Sequence, residues 1–341
     1  MKRKLSLLVA LAMIVGLLAG CGGSSSSAPT ESASGNDASI VPITDSKMPL
    51  TTEMSNMSIG TAGTSGTFYI MGSAYADLIT RNLGINTIAE VTAGSTENVT
   101  LLDEDKVELG VIQLDVTLDA MEGEDGVPLR VIAPMYPNVI QLVTLADSDI
   151  NSFSDLKGKR VSVGSPGSGV LTTNEIILET LGLSMDDIEP QYLSFTETTD
   201  AFRNGAVDAV LVNTAAPAPF LVDLETTDAI KMIPFSDEEI AMFTEKFPFY
   251  VEATIPGGTY SSVPEDTKTF AVWIALMSKD TLPDDVAYNV AKTLFENGDY
   301  LKDVHVVAQY LNTDNVNEIK GVPYHPGVLQ YLEDVGVTVE G

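Results

Sequence analysis

Two stretches of this chain repeat one local plan. Residues 59–79 ("IGTAGTSGTFYIMGSAYADLI") and 161–181 ("VSVGSPGSGVLTTNEIILETL") each run from a short apolar strand into a loop of glycine and hydroxyl residues, and then into a helix. Such a loop sets the first-turn amides of a helix, which have no intrahelical partner, beyond the carboxyl end of a strand. The aligned peptide dipoles place roughly half a positive charge there. Glycine lets the backbone come close to a ligand, and hydroxyls add adjustable donors and acceptors. One loop of this kind is as readily a tight turn before a capped helix. Two of them, in two lobes facing one cleft, favour a shared small anionic or zwitterionic ligand.

Neither loop fits a standard nucleotide motif. No Gly-Lys-Ser/Thr ending follows the first loop, which excludes a P-loop, and Gly63 and Gly66 are too far apart to open a dinucleotide fingerprint. "GSPGSG" misses the nucleophile-elbow spacing, because Pro166 and Val170 flank Ser168 at two residues on either side. The chain has two histidines, His305 and His325, without acidic or cysteine partners at ligand spacing, so neither a metal nor any other cofactor is expected and no catalytic constellation emerges.

The segments between and after the loops alternate in character. "TFYIMGSAYADLITRNL" is an amphipathic helix with Phe68, Met71, Tyr75, Leu78 and Ile79 on one face. "NTIAEVTA" and "VELGVIQ" read as strands around a helix at "STENVTLLDED", and "LDVTLDAMEG" as a further helix. "LRVIAPMYPNVIQLVTLA" reads as a pair of strands broken by Pro134 and Pro137. The second unit carries a helix at "FTETTDAFRNG" and strands at "VDAVLVN" and "FYVEATIP". "EDTKTFAVWIALMS" and "DDVAYNVAKTLFENGDYL" read as helices, with Trp273 in the core. A β-α-β-α-β order implies a mainly parallel sheet with helices on both faces, and the repeat suggests two similar lobes rather than one large sheet.

The N-terminal segment suggests an address. Lys2, Arg3 and Lys4 precede an apolar run from Leu5 to Leu18, short for a membrane span and suited to a secretory leader, which ends in Leu18-Ala19-Gly20-Cys21. This resembles a bacterial lipoprotein signal, with residues 1–20 removed and Cys21 lipidated. Cys21 is the only cysteine, so no internal disulfide can form. Residues 21–55 are rich in Ser, Gly, Ala and Thr and read as a flexible tether. The chain carries 18 Lys and Arg against 48 Asp and Glu; without the three basic leader residues 15 remain, a charge of −33. That field repels nucleic acid and anionic lipid headgroups, and the expected membrane contact is through the lipid anchor alone.

Seven segments together carry a family likeness: the first loop and helix, "EVTAGSTENVTLLDEDKVELGVIQLDVTLDAMEG", "LRVIAPMYPNVIQLV", "LKGKRVSVGSPGSGVLTTNEIILETLGL", "YLSFTETTDAFRNGAVDAVLV", "FPFYVEATIPGGTY" and "VPYHPGVLQYLEDVGV". From about residue 57 to 338 the chain resembles the TAXI branch of solute receptors for TRAP (tripartite ATP-independent) transporters. The resemblance implies a type II periplasmic-binding-protein-like α/β fold. Lobe 1 would comprise residues 56–142 plus 254–341 and lobe 2 residues 143–253, joined by crossing hinge strands near 139–146 and 249–256. It implies a small-molecule ligand, an amino acid such as glutamate or glutamine or a related dicarboxylate, and a TRAP permease as partner, with no enzymatic turnover. An ABC importer or sensor is the alternative partner, and an exported enzyme on the same scaffold a further one.

Carried over segment by segment, the resemblance implies ligand positions at Thr64, Ser65, Gly66, Thr67 and Tyr69, then at Ser95, Glu97, Asn98 and Gln113. It adds Asp115, Tyr136, Ser165, Pro166, Gly167, Ser168, Gly169 and Asn213. Where the family usually has Gln-Ser-Asp, this chain reads Gln113-Leu114-Asp115. Asp115 reads first as a cap of the following helix and second as an ammonium partner, and Tyr69 and Tyr136 equally as cleft walls or core aromatics. Arg130 and Arg203 read as surface cations.

Overall fold

The computed structural model describes residues 39–122 and 124–340. The expected leader, the Cys21 lipidation site and the tether as far as residue 38 lie outside the described residues. In chain order the first elements are β1 (Asn56–Gly60), α1 (Thr67–Leu83), β2 (Asn86–Glu90), α2 (Ser95–Asp103), β3 (Leu109–Gln113) and α3 (Leu114–Met121). Then come β4 (Leu129–Leu145), β5 (Arg160–Ser162), α4 (Gly169–Thr180), β6 (Glu189–Gln191), α5 (Phe195–Arg203) and β7 (Ala209–Thr214). They are followed by α6 (Pro219–Glu225), β8 (Ile230–Ile233), α7 (Asp237–Lys246), β9 (Tyr250–Ile255) and β10 (Thr267–Lys279). The chain closes with α8 (Asp284–Glu296), α9 (Gly298–Val304) and α10 (Pro326–Asp334).

The strands pair in the order β2-β1-β3-β10-β4-β7-β5-β6, with β8 added to β4 and β9 to β10. Two parallel blocks, β2-β1-β3 and β7-β5-β6, stand at the two ends. Between them β10 and β4 run antiparallel to their neighbours. The sheet is therefore mixed, in an α/β fold with flanking helices. It is also continuous, against the expectation of two separate sheets. The reason is length: β4 spans 17 residues and β10 spans 13, enough for each to pair with the other and with a parallel block.

Two segment readings are corrected. β4 is one strand, and its prolines do not break it. Pro134 faces Ala275 and Pro137 faces Trp273, with a register shift between Ile274 and Ala275 that leaves Met135 as an extra residue. A bulge relieves the ladder where proline offers no N–H. Residues 265–278, read as helical, lie almost wholly in strand β10. All but two of its residues are buried, so its apolar run carries no alternation. A strand buried on both faces cannot be told from a buried helix by periodicity alone. Trp273 sits in the core as expected, 5% exposed.

The tether also ends earlier than residue 55. Ile40, Met48, Leu50 and Met54 pack against the core, and three α8 side chains, or residues at its end, fix the backbone between them. Asn297 Oδ1 accepts from Val41 N, Asn289 Nδ2 donates to the Met48 carbonyl, and Asp285 holds Thr51 and Thr52. Residues 285, 289, 293 and 297 are four apart and buried, so one helix face presents a polar stripe that a polar segment can satisfy. Composition alone does not distinguish such a strap from a free linker.

Candidate functional site

The two glycine-rich loops lie on one cavity of about 410 Å³. Its rim and walls are built from four helix N-termini. α1 contributes from Gly66, α2 from Gly94 and Ser95, α4 from Ser168 and Gly169, and α5 from Ser194 and Phe195. The first two belong to the β2-β1-β3 half and the last two to the β7-β5-β6 half. Ser168 Oγ accepts from Leu171 N and caps α4, and Ser194 with Glu197 forms a reciprocal capping box on α5. The N-terminus of neither α1 nor α2 is capped by a side chain. Apart from Tyr69 N, which bonds the Gly66 carbonyl, and Glu97 N, which bonds the Gly167 carbonyl, their first-turn amides and dipoles are thus open to whatever enters the cavity.

Glycine is required where the halves meet. Gly94 has φ +125° and Gly167 has φ +81°, both in the left-handed region. A Cβ on Gly94 would lie 3.5 Å from Ser168 Cα, and one on Gly167 would lie 3.3 Å from Ala93 Cβ. The Gly167 carbonyl accepts from Glu97 N at 3.0 Å, and Thr96 and Thr172 hydroxyls lie 3.3 Å apart across the same seam.

Among the described residues, no Lys, Arg, His, Asp or Glu lines the cavity. In a chain of net charge −30, an anion there would be held by backbone amides and hydroxyls against an unfavourable background. The apolar share of the wall comes from Phe68, Val91, Val170, Leu193 and Phe195, the last stacked on Phe220 at 4.6 Å. Three buried lining residues carry polar atoms without a hydrogen-bond partner: Thr67 Oγ1, Asn138 Oδ1 and Asn213 Oδ1. Native proteins leave few such atoms, and each calls for a reason.

Of the residues expected at the site, Thr64, Ser65, Gly66, Thr67, Ser95 and Gln113 line the cavity from one half. Ser165, Ser168, Gly169 and Asn213 line it from the other. The remaining seven do not line it. Asn98 is an internal rivet: Nδ2 donates to the Thr61 and Val111 carbonyls and Oδ1 accepts from Thr92. Glu97 accepts from Ala93 N, Pro166 is exposed, Tyr69 is half-buried on α1, and Gly167 packs on α2 as above. Tyr136 is buried on β4 with its hydroxyl unpartnered, and burial pushes its pKa up. Asp115 lies behind the wall, where burial pushes its carboxyl above the ordinary range against four hydrogen bonds that favour the ion.

Sequence reasoning missed Asn138 and the α5 contribution. Asn138 is a lone amide in an apolar run, and the Ser194-x-x-Glu197 box marks a helix start that belongs with the other three. Arg203 pairs with Asp223 and Arg130 with Asp280, away from the cavity. Among the described residues no acidic, His or Cys group suits a metal ion, and no helix is long and apolar enough to cross a membrane.

Solved structures share this architecture. A protein from Bordetella bronchiseptica RB50 aligns at 13% identity over 82% of this chain and 98% of its own, with a TM-score of 0.52. The alkanesulfonate-binding protein SsuA from Xanthomonas axonopodis pv. citri, solved with MOPS, aligns at 18% identity over 83% and 84%, with a TM-score of 0.49. A binding protein component of an ABC phosphonate transporter from Pseudomonas aeruginosa aligns at 13% over 75% and 80%, with a TM-score of 0.47. These likenesses concern the fold, the periplasmic-binding-protein-like α/β class. A family model described as the NMT1-like family matches residues 59–336, from the first glycine loop through α10, and the chain belongs to that family.

Proposed function

We propose that this protein is an extracytoplasmic solute receptor that closes its two halves over a small carboxylate-bearing solute and presents it to a membrane permease. The observation that carries this reading is the convergence of four helix N-termini, two from each half, on one uncharged cavity of about 410 Å³. A carboxylate meets the uncapped first turns of α1 and α2, near Thr67 and Ser95, while Thr64, Ser65, Ser165, Ser168 and Asn213 supply adjustable polar contacts. The apolar walls exclude water from the solute's carbon chain. Release then requires the halves to part about β4 and β10, which cross between them.

The permease is of one of two kinds. The sequence resemblance implies a TRAP permease, whereas an ABC permease is the kind named for one of the solved structures of similar fold. The family match names neither, and the ABC system is the partner tested first. The body is held to the outer membrane face through lipidated Cys21 in this reading.

A thermal-shift screen of amino acids and small mono- and dicarboxylates is the direct test. At least one is expected to raise the melting temperature and to be recovered unchanged after prolonged incubation. A solute chemically altered by the protein would favour an enzyme instead. Reconstitution with TRAP or ABC permeases encoded beside the gene then separates the two partners.

A further inference from the structure

Behind the cavity wall sits a carboxylate with no cation among its hydrogen-bond partners. Asp115, in the first turn of α3, is 4% exposed. Four groups aim hydrogens at its two oxygens: Val116 N at 2.9 Å, Gln113 Nε2 at 3.3 Å, Thr173 Oγ1 at 2.6 Å and Tyr250 Oη at 3.3 Å. An ionised carboxylate can only accept. Thr173 therefore gives its single proton to Asp115 and can only accept from its other neighbours. Those neighbours are Gln113 Nε2 at 3.0 Å and Asn213 Nδ2 at 2.7 Å. Both amides are thereby held with NH₂ toward Thr173 and the carbonyl oxygen turned away from it.

Gln113 and Asn213 line the cavity. Beside them Asn138 donates Nδ2 to the Asn213 main-chain carbonyl at 3.4 Å, and the Oδ1 atoms of Asn138 and Asn213 have no partner. The β3, β4 and β7 side of the site is thus rich in acceptors, whereas α1 and α2 offer donors. We propose that Asp115, acting through Thr173, sets the orientation of the Gln113 and Asn213 amides and makes the site select carboxylates that also bear a hydrogen-bond-donating ammonium or amide group over dicarboxylates of matching length. A second carboxylate would meet acceptors it cannot pair with, and a mismatch of this kind discriminates strongly in a buried site. An ammonium also gains from the Asp115 charge one hydrogen-bond layer away. Asp115 is here a positioning residue, and the inference rests on the receptor reading above.

The test is calorimetric titration of the purified protein with the amino acids, 4-aminobutanoate, glutarate, succinate and the monoamides of the last two. At least tenfold tighter binding of some amine- or amide-bearing member than of glutarate or succinate, the two dicarboxylates without such a group, is expected. Glutarate or succinate binding as tightly or better overturns the inference and leaves the receptor reading standing. No binding by any member overturns the carboxylate-receptor reading and the inference with it.

Asp115→Asn, whose amide can donate to Thr173 and release the relay, is expected to shrink the preference at least tenfold. Thr173→Val, which removes the relay hydroxyl, is expected to move it the same way, and serves if the first variant does not fold. Equal loss of affinity for both solute classes in both variants would mean a structural role only, and would overturn the assignment.

Discussion

Ser65 Oγ and Thr196 Oγ1 lie 3.2 Å apart, one in the turn before α1 and the other in the first turn of α5. Both residues line the cavity, and their contact joins the two halves at its rim. The proposed receptor mechanism requires this contact to break whenever solute enters or leaves. Replacing both with cysteine, in a Cys21→Ala background, is expected to allow an oxidised cross-link. A solute bound before oxidation should then exchange at least tenfold more slowly, with the normal rate restored by reductant. Stopped-flow displacement measures it, and exchange indifferent to oxidation in a verified cross-linked sample would mean that the rim does not gate the cavity.

The seam at Gly94 is a second point of control. Its φ of +125° is a backbone conformation that a side chain strains, although a Cβ there would meet Ser168 Cα at an ordinary contact distance of 3.5 Å. Gly94→Ala is expected to cost about 1–2 kcal/mol in backbone strain and to weaken binding of any solute that stabilises the parent protein. Urea denaturation with and without that solute separates the two effects. Parental stability together with parental affinity would remove the argument that the close approach of the loops builds the site.

How far the site was legible follows from which residues speak locally. The two loops announce themselves because Gly, Ser and Thr between a strand and a helix have few other uses, and Ser65 and Ser168, expected from the loops and the family resemblance, line the cavity. Asn98 was misplaced because a polar residue three positions after Ser95 reads the same whether it faces a solute or rivets β1 to β3. Asn138 stayed hidden because nothing local distinguishes an amide turned to a cavity from one paired across a strand. β10 was misread for a related reason: burial on both faces erases the alternation that would mark a strand. The Asp115–Thr173–Asn213 relay joins residues far apart in sequence, and only the fold brings them into contact.

The strap on α8 yields a stability prediction. Asp285 Oδ2 accepts from Thr51 N, Thr51 Oγ1 and Thr52 N, and Oδ1 from Thr52 Oγ1, at 2.6–2.8 Å. Burial works against ionisation, but these bonds outweigh it and hold the carboxyl well below the usual carboxylate range. A depressed pKa contributes stability that is present above the unfolded value, about 3.9, and is lost as pH falls below it. Asp285→Asn should cost about 1–3 kcal/mol at neutral pH and flatten the profile below pH 4. Denaturation midpoints between pH 3 and 7 decide it; a parent-like profile in the variant would mean that the clamp adds no net stability.

The two histidines predict an earlier acid step. His325 Nδ1 accepts from Gly327 N at 3.2 Å at the start of α10, and His305 Nδ1 accepts from Val307 N at 3.2 Å at the start of the short turn after α9. Burial pushes both pKa values below the ordinary 6.5, and each N–H donation requires a neutral acceptor. The unfolded chain therefore takes up protons at higher pH than the folded one. Stability should be full above pH 6.5 and should decline as pH falls below it, before the carboxylate step of Asp285 begins. Asparagine also caps well, so the double variant His305→Asn/His325→Asn keeps both caps while removing the titration. Its stability should stay level between pH 7 and 5 while that of the parent falls. Parallel declines in the two proteins would assign the step to other groups.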